Sequence, residues 1–477
     1  MEILRKLDGV VWGPPTIVLI LGMGLYLSVK TRWLQLRLLP RGLGLLFSRE
    51  GRRAGPGETT PVQALCTALA ATVGTGNIAG VAGAICLGGP GAAFWMWMCG
   101  LLGMMTKFAE VTLAQRYRVK NDAGEWVGGP MYMIRLGLGK RWQWMAGLYS
   151  FFGVAAAFGV GNATQINAVL TAAQVCLGDR LSDRGMTVLA LALAAILAGV
   201  LLGGVERIGR AAGKLVPAAA ALYLLLGLGA LILCRERLGE AILMIFQGAF
   251  SPQAVTGGMI GSLLPVLRAG IARGVFTNEA GMGTASIAHA AASGAEPMAQ
   301  GLLGVVEVFV DTLVICTLTA LVILCSGVAV PYGADPGAAL TAAAFSRVYG
   351  DWVKGLLAAL IGSFAFATVV GWGVDGIRCA QFLFGSGVWK SFAWLQVGTV
   401  LLAAGMKTGG IWLLAEIVNG LMAVPNLIGL GLLSPELFQL IKKSRLPVRG
   451  RRDEGQGEGI GERVYPDSPA SRLKRRL

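Results

Sequence analysis

Long apolar runs alternate with short polar stretches along most of the chain, and within each run the apolar residues are continuous rather than alternating in period two. A run of about 20 such residues is long enough to cross a bilayer. A spanning segment must satisfy its own backbone hydrogen bonds, which leaves helices or a closed barrel, and continuous runs select helices. Eleven spans are expected, near residues 10–29, 61–87, 91–115, 142–176, 186–204, 211–233, 258–292, 298–328, 354–376, 388–406 and 409–441. The fourth, seventh, eighth and eleventh exceed the bilayer's need and are expected to tilt, break or extend beyond it. The expected fold class is an all-α integral membrane protein.

Two spans break the apolar pattern. The second reads "TALAATVGTGNIAGVAGAICLGGPG", with Val73, Gly74, Thr75, Gly76 and Asn77 at its centre. The seventh contains "VFTNEAGMGTASIAHAA" at 275–291, which holds Thr277, Asn278, Glu279, Gly281, Gly283 and the only histidine, His289. Glycine costs a helix interior about 1 kcal/mol relative to alanine, so each cluster reads as an unwound segment. Unwound backbone survives at membrane depth only where it lines a cavity or is buried in protein. Setting the first span aside, the second span opens one set of five and the seventh opens the next. Five is odd, so the two sets run in opposite directions, as an inverted repeat with a discontinuous helix at the start of each half. Paired interruptions of this kind point to a substrate site near the bilayer midplane. The plainer reading of any one glycine is close helix packing. A half-helix start attracts a carboxylate, and a half-helix end offers carbonyls to Na⁺ or an ammonium. The pair therefore favours an amino-acid-like zwitterion. The expected domains are an extra N-terminal helix with a basic loop (1–60), a first repeat (61–234), a second inverted repeat (235–441) and a disordered basic tail (442–477).

Composition agrees and adds orientation. Only 14% of the 477 residues are charged, and the mean hydropathy is +0.65. The net charge of +15 suggests nucleic acid until the cations are placed. With the N-terminus outside, 29 Lys and Arg fall in inside segments and 9 in outside segments, as the positive-inside rule requires. This orientation puts the C-terminus in the cytoplasm, places the protein in the cell (inner) membrane and removes the nucleic-acid reading. The 8 cysteines form no CxxC pair, which argues against a metal centre or disulfide framework. One histidine excludes HExxH and a Ser-His-Asp triad, and no GxxxxGK[ST] is present to bind ATP. No enzyme activity, cofactor or obligate protein partner is expected.

Longer motifs resemble a known family. "ATVGTGNIAGVAGAICLGGPGAAFWMWMCGLLGMMTKFAEVTLAQRYR" (71–118), "GGPMYMI" (128–134), "ARGVFTNEAGMGTASIAHAAA" (272–292) and "VFVDTLVICTLTALVIL" (308–324) resemble signatures of the alanine or glycine:cation symporter family. They occur in family order. That family is similar in fold to the leucine-transporter (LeuT-type) architecture of five plus five inverted helices. The resemblance implies sodium-coupled uptake of alanine or glycine, with the bilayer, Na⁺ and a small neutral amino acid as partners. It places Val73, Gly74, Thr75, Gly76 and Asn77 in the first unwound segment, and Phe276, Thr277, Asn278, Ala280, Gly281 and Gly283 in the second. It implies that Gln165 reaches the ligand and that Ser363, Thr368 and Trp372 supply hydroxyls and close the pocket. The carbonyls of Ala70 and Val73 would join Ser363 and Thr368 around sodium, and Phe276, Met282 and Trp372 would limit side-chain size. The chain departs from the family at Thr277, Met282, Thr284 and Ser286-Ile287, where Ser, Leu, Ser and Pro-Asn are commoner.

Several residues carry a plainer alternative. Gln165, with Asn162 and Thr164, could hydrogen-bond between helices, Thr368 could back-bond within its own helix, and Trp372 could fill a packing gap. Glu279, Glu307 and Asp311 are intramembrane carboxylates and functional by default. They are expected to pair with Arg268, Arg273 or Lys107 in a structural or gating role, while Lys107 and Glu110 are expected to pair with each other. His289 is expected to pack near the end of its span. The competing function is a proton-coupled carrier using Glu279, Glu307, Asp311 or His289. A passive channel and a transporter-like sensor are the other classes.

Overall fold

A computed structural model describes residues 2–444 except 56–57, 178–181, 295, 335–336 and 405–407. The expected tail therefore lies outside the described residues from 445 onward. The helices are α1 (Glu2–Val11), α2 (Pro14–Lys30), α3 (Leu34–Leu45), α4 (Pro61–Thr72), α5 (Ala79–Gly88), α6 (Ala92–Arg116), α7 (Pro130–Met133), α8 (Gln143–Phe158), α9 (Thr164–Leu177), α10 (Asp183–Leu201) and α11 (Gly204–Leu233). They continue as α12 (Leu238–Phe250), α13 (Pro252–Thr256), α14 (Leu263–Asn278), α15 (Thr284–Ala290), α16 (Pro297–Val308), α17 (Thr317–Ser326), α18 (Ala338–Tyr349), α19 (Val353–Phe384), α20 (Trp389–Ala404) and α21 (Thr408–Lys443).

Helix occupies every range expected to span. By length and hydropathy alone, seven helical stretches among the described residues suffice to cross a membrane, or eight if the bent pair α4 and α5 counts as one. The shortfall from eleven has visible causes. α20 has only 16 residues, α6 carries Lys107 and Glu110, and the interrupted α14–α15 stretch carries Arg268, Arg273, Glu279 and His289. The over-long fourth and eighth spans contain wider π turns at Gly159–Ala163 and Phe309–Cys316, a distortion that often marks functional positions in helices.

Local chemistry fixes where the first broken helix begins. Thr60 accepts the Gln63 amide at 3.1 Å, and the Gln63 side chain accepts the Thr60 amide at 2.9 Å. This reciprocal cap satisfies two of the unpaired amides at the helix start, and Pro61 follows at the position where proline fits. The two broken helices then interlock. α4 packs on α15, through a tight contact of Ala68 with Ala285 and Ala288, and α5 packs on α14. The Ser293 amide closes the far end by donating to the Thr59 carbonyl at 2.9 Å. α19 lies along α4 closely enough that a Cβ on Gly371 would stand 2.6 Å from the Ala71 nitrogen. α8 and α9 flank α19.

A short hairpin that the periodicity did not predict pairs Val119–Lys120 with Trp126–Val127. Arg118 stacks 4.3 Å over Trp126 and donates to the Ala292 carbonyl beyond α15. Glu125 bridges to Arg378 of α19 at 2.9 Å. Burial raises the Glu125 carboxyl, but Arg378 and hydrogen bonds from Asn121 and Arg378 offset this and hold it below its usual value. A depressed carboxyl contributes its full share above the unfolded value and loses it as pH falls through the folded one. The bridge is therefore expected to persist at neutral pH and fail only below the ordinary carboxylate range. Glu125→Gln is expected to lower amide-exchange protection across 119–127 severalfold at neutral pH. Unchanged protection would rule out a latch.

Candidate substrate site

α4 stops after Thr72 because Gly74 adopts extended backbone (φ −150°, ψ −153°). Its amide donates not to the helix but to Asn77 Oδ1, at 2.9 Å, so the Ala70 carbonyl four residues back loses its helical donor. Thr75–Asn77 forms one tight 3-10 turn, and the second half of the helix leaves at 56° to the first. The opening amides of such a turn have no carbonyl partner within it.

The second break begins at Glu279, whose φ of +53° lies in the left-handed region that costs a non-glycine residue energy. Gly281 and Gly283 continue it at φ +97° and +79°, where only glycine is unstrained. The freed backbone is caught by side chains. The Gly281 amide donates to Glu110 Oε1 at 2.9 Å, and the Gly281 carbonyl accepts Asn426 Nδ2 at 2.8 Å.

Between the breaks lies a small cavity. Of the residues nominated from sequence, Gly74, Thr75, Gly76, Gln165, Phe276, Thr368 and Trp372 line it, together with Ala71, Thr72, Val160 and Glu279. Thr75 Oγ1 donates to Gln165 Oε1 at 2.8 Å. Gln165 thus lines the cavity and joins two helices. The Thr368 hydroxyl and the Trp372 indole nitrogen are buried and have no partner among the described residues. Both belong to residues on the cavity wall.

The remaining nominees stand behind that wall. Asn77 Nδ2 donates to Asp311 Oδ1 at 2.6 Å, and Asn278 Nδ2 donates to Thr312 Oγ1 at 3.1 Å. Thr277 back-bonds to Gly274 at 2.9 Å, Gly281 faces Glu110 and Asn426, and Met282 lies wholly in the apolar core. They hold the breaks in shape. For the sodium set, Thr368 Oγ1 abuts Gly74, and Ala70 packs against Ala367. Val73 ends α4 with extended backbone (ψ 97°). Ser363 is not on the cavity: five residues from Thr368, it points about 140° away around the helix and donates to Ala359 at 2.8 Å.

Of the expected charge pairs, Glu307 with Lys107 forms, whereas Lys107 with Glu110 does not, and Arg268 and Arg273 pair elsewhere. Lys107 Nζ meets Glu307 Oε1 at 3.4 Å, whereas Glu110 is held by the Gly281 amide and by Asn426 at 2.6 Å. His289 is fully buried, with Nε2 at 3.0 Å from Glu307 and Nδ1 at 2.5 Å from Gln300. Arg268 pairs with Asp8, and Arg273 with Glu416 at 2.9 Å. Glu279 accepts from Thr284. No cluster of three or more His, Cys, Asp or Glu side chains converges as a metal centre among the described residues.

The profile of the sodium:alanine symporter family matches residues 1–453. The chain belongs to the sodium:alanine symporter family. The sodium/alanine symporter AgcS of Methanococcus maripaludis is 41% identical over 91% of this chain and 95% of its own. An uncharacterized transporter of Haemophilus influenzae is 43% identical over 90% of this chain and 92% of its own. The probable sodium/glutamine symporter GlnT of Bacillus subtilis is 37% identical over 92% and 91%. Among solved structures, MhsT in complex with L-phenylalanine superposes with a TM-score of 0.57 at 15% identity, covering 79% of this chain and 89% of that one. That likeness concerns the fold alone, which is LeuT-type. The symporter is thus a multi-pass membrane transporter and not an enzyme, of a family that couples amino-acid movement to sodium.

Proposed function

We propose that this symporter carries alanine or glycine into the cell together with Na⁺, with the cavity between the two breaks as its substrate site. The observation that carries the reading is the pair of unpaired polar groups, Thr368 Oγ1 and Trp372 Nε1, on residues of a small wall built from both broken helices. The ligand carboxylate meets the opening amides of the Thr75–Asn77 turn, where the helix dipole is positive. The ammonium turns toward Glu279, the one carboxylate on the wall. Sodium sits between Thr368 Oγ1 and the released carbonyls of Ala70 and Val73. Phe276 and Trp372 confine the side chain. Sodium and substrate order the same unwound segment, so each favours the other's binding.

The architecture proposed around the site has eleven spans in five-plus-five inverted order, with repeats at 61–234 and 235–441. The N-terminus is outside, and the basic tail 442–477 is in the cytoplasm. Packing of the first half of each broken helix on the second half of the other supports the inverted relation.

Thr368→Val keeps the volume and removes the hydroxyl. It is expected to raise the sodium half-saturation of alanine uptake roughly tenfold, the effect of one hydrogen bond to a charged group; an unchanged half-saturation would count against the sodium assignment. Substrate size is tested by competition. Alanine and glycine are expected to block labelled alanine uptake, and glutamine and phenylalanine are not. Equal inhibition by glutamine would contradict the small-ligand reading.

A further inference from the structure

Asp375 is the one buried acid without a protein partner among the described residues. It is 2% exposed, and its Oδ1 is unpaired. Thr368, Gly371 and Asp375 follow one stripe of α19, since residues three, four and seven apart share a helix face. On that stripe Thr368 abuts Gly74 and Gly371 abuts Ala71, so the stripe faces α4 and the centre of the molecule. Asp375 continues it about two turns past Thr368, and α19 packs on α15 as well as on α4. Arg378, one turn further, is engaged elsewhere, at 2.9 Å from both Glu125 and Gln381.

The surrounding charges offer Asp375 little. Those acting on it most strongly are Glu279, Lys107 and Glu307, and Lys107 is already engaged by Glu307. His289 of α15 is held by Glu307 and Gln300. From α8, Tyr149 lies within electrostatic reach of Asp375 and Cys379, and its hydroxyl is buried and unpaired as well. An isolated buried carboxylate is expensive unless neutralised or paired.

We propose that Asp375 is a monovalent-cation site for Na⁺ or a proton on the cytoplasmic side of the substrate cavity. This rests on the transport reading above, both for coupling and for sidedness. The site lies about 10 Å along α19 from Thr368, at 1.5 Å rise per residue, and so is separate from the sodium position at the first break.

The test uses the full chain in proteoliposomes carrying trapped pyranine, with ²²Na⁺ and labelled alanine counted together. If the occupant is Na⁺, Asp375→Asn lowers the Na⁺:alanine ratio by one and leaves pyranine silent. If it is a proton, alanine entry acidifies the lumen in the parent, and Asp375→Asn abolishes that signal at an unchanged Na⁺:alanine ratio. An unchanged ratio together with an unchanged pyranine trace overturns the site. Melting temperature decides if the variant does not transport. Removing an uncompensated charge is expected to raise the Tm of Asp375→Asn by several degrees in Na⁺-free buffer at pH 8, and a lower Tm overturns the proposal. Parent uptake without Na⁺ dependence would end the sodium reading, yet the melting comparison would still judge Asp375.

Discussion

Gly74→Ala is expected to lower sodium-driven alanine uptake about 100-fold, the scale of loss that a misplacement of about 1 Å produces at a reacting or binding centre. The reason is close approach. A methyl group on Gly74 would press well inside van der Waals contact with Thr368 Oγ1 and stand 3.9 Å from Gln165 Oε1. In the proposed site it would occupy the point where the Thr368 hydroxyl and the released Ala70 carbonyl would meet the cation, so sodium half-saturation should rise with the loss of rate. Gly80→Ala is the control, because a Cβ there meets nothing nearer than 3.9 Å and lies within α5, where alanine favours helix. Uptake by the Gly80 variant should match the parent. Near-normal uptake by the Gly74 variant would move the site away from the first break.

The second large effect is on stability. Lys107 and Glu307 are both fully buried, and the bridge joins α6 to α16 beneath α15. Lys107→Met leaves the Glu307 carboxylate with His289 alone, and breaking a buried pair in this way costs about 3–5 kcal/mol. Adding Glu307→Gln removes the orphaned charge while keeping a hydrogen-bonding group for His289. The double variant is therefore expected to unfold later than Lys107→Met in a thermal ramp in detergent. A single variant as stable as the parent would mean that the pair is not buried in the membrane-embedded protein.

Both breaks were legible because their signals are local: glycines beside Thr, Asn and Glu in runs that are otherwise apolar. Which face those residues turn was not. Asn77 and Asn278 look like ligand contacts because amides are rare in apolar runs, yet each is consumed by a neighbour on the Phe309–Cys316 π turn. Glu279 looked structural because its charge invited a cationic partner, but its left-handed backbone carries it to the cavity wall. Val160 carried no signal at all, since an apolar residue reaches the wall only through the π turn that contains it. Lys107 and Glu110 are three apart, which makes them neighbours on a helix, but tertiary partners from α16, α21 and the second break took precedence. Ser363 followed from likeness of pattern, and helix phase puts it on another side from Thr368. Asp375 gave no sequence signal beyond being an acid in an apolar run.

The central claim is that the cavity between the two breaks moves a small neutral amino acid at the expense of a sodium gradient. The measurement that tests it most directly is radiolabelled alanine uptake into proteoliposomes under an inward Na⁺ gradient, repeated with choline replacing Na⁺ at constant pH. Uptake above equilibrium is expected with Na⁺ and none above equilibrium with choline. Accumulation indifferent to Na⁺, or no alanine and no glycine uptake under either gradient, would contradict it.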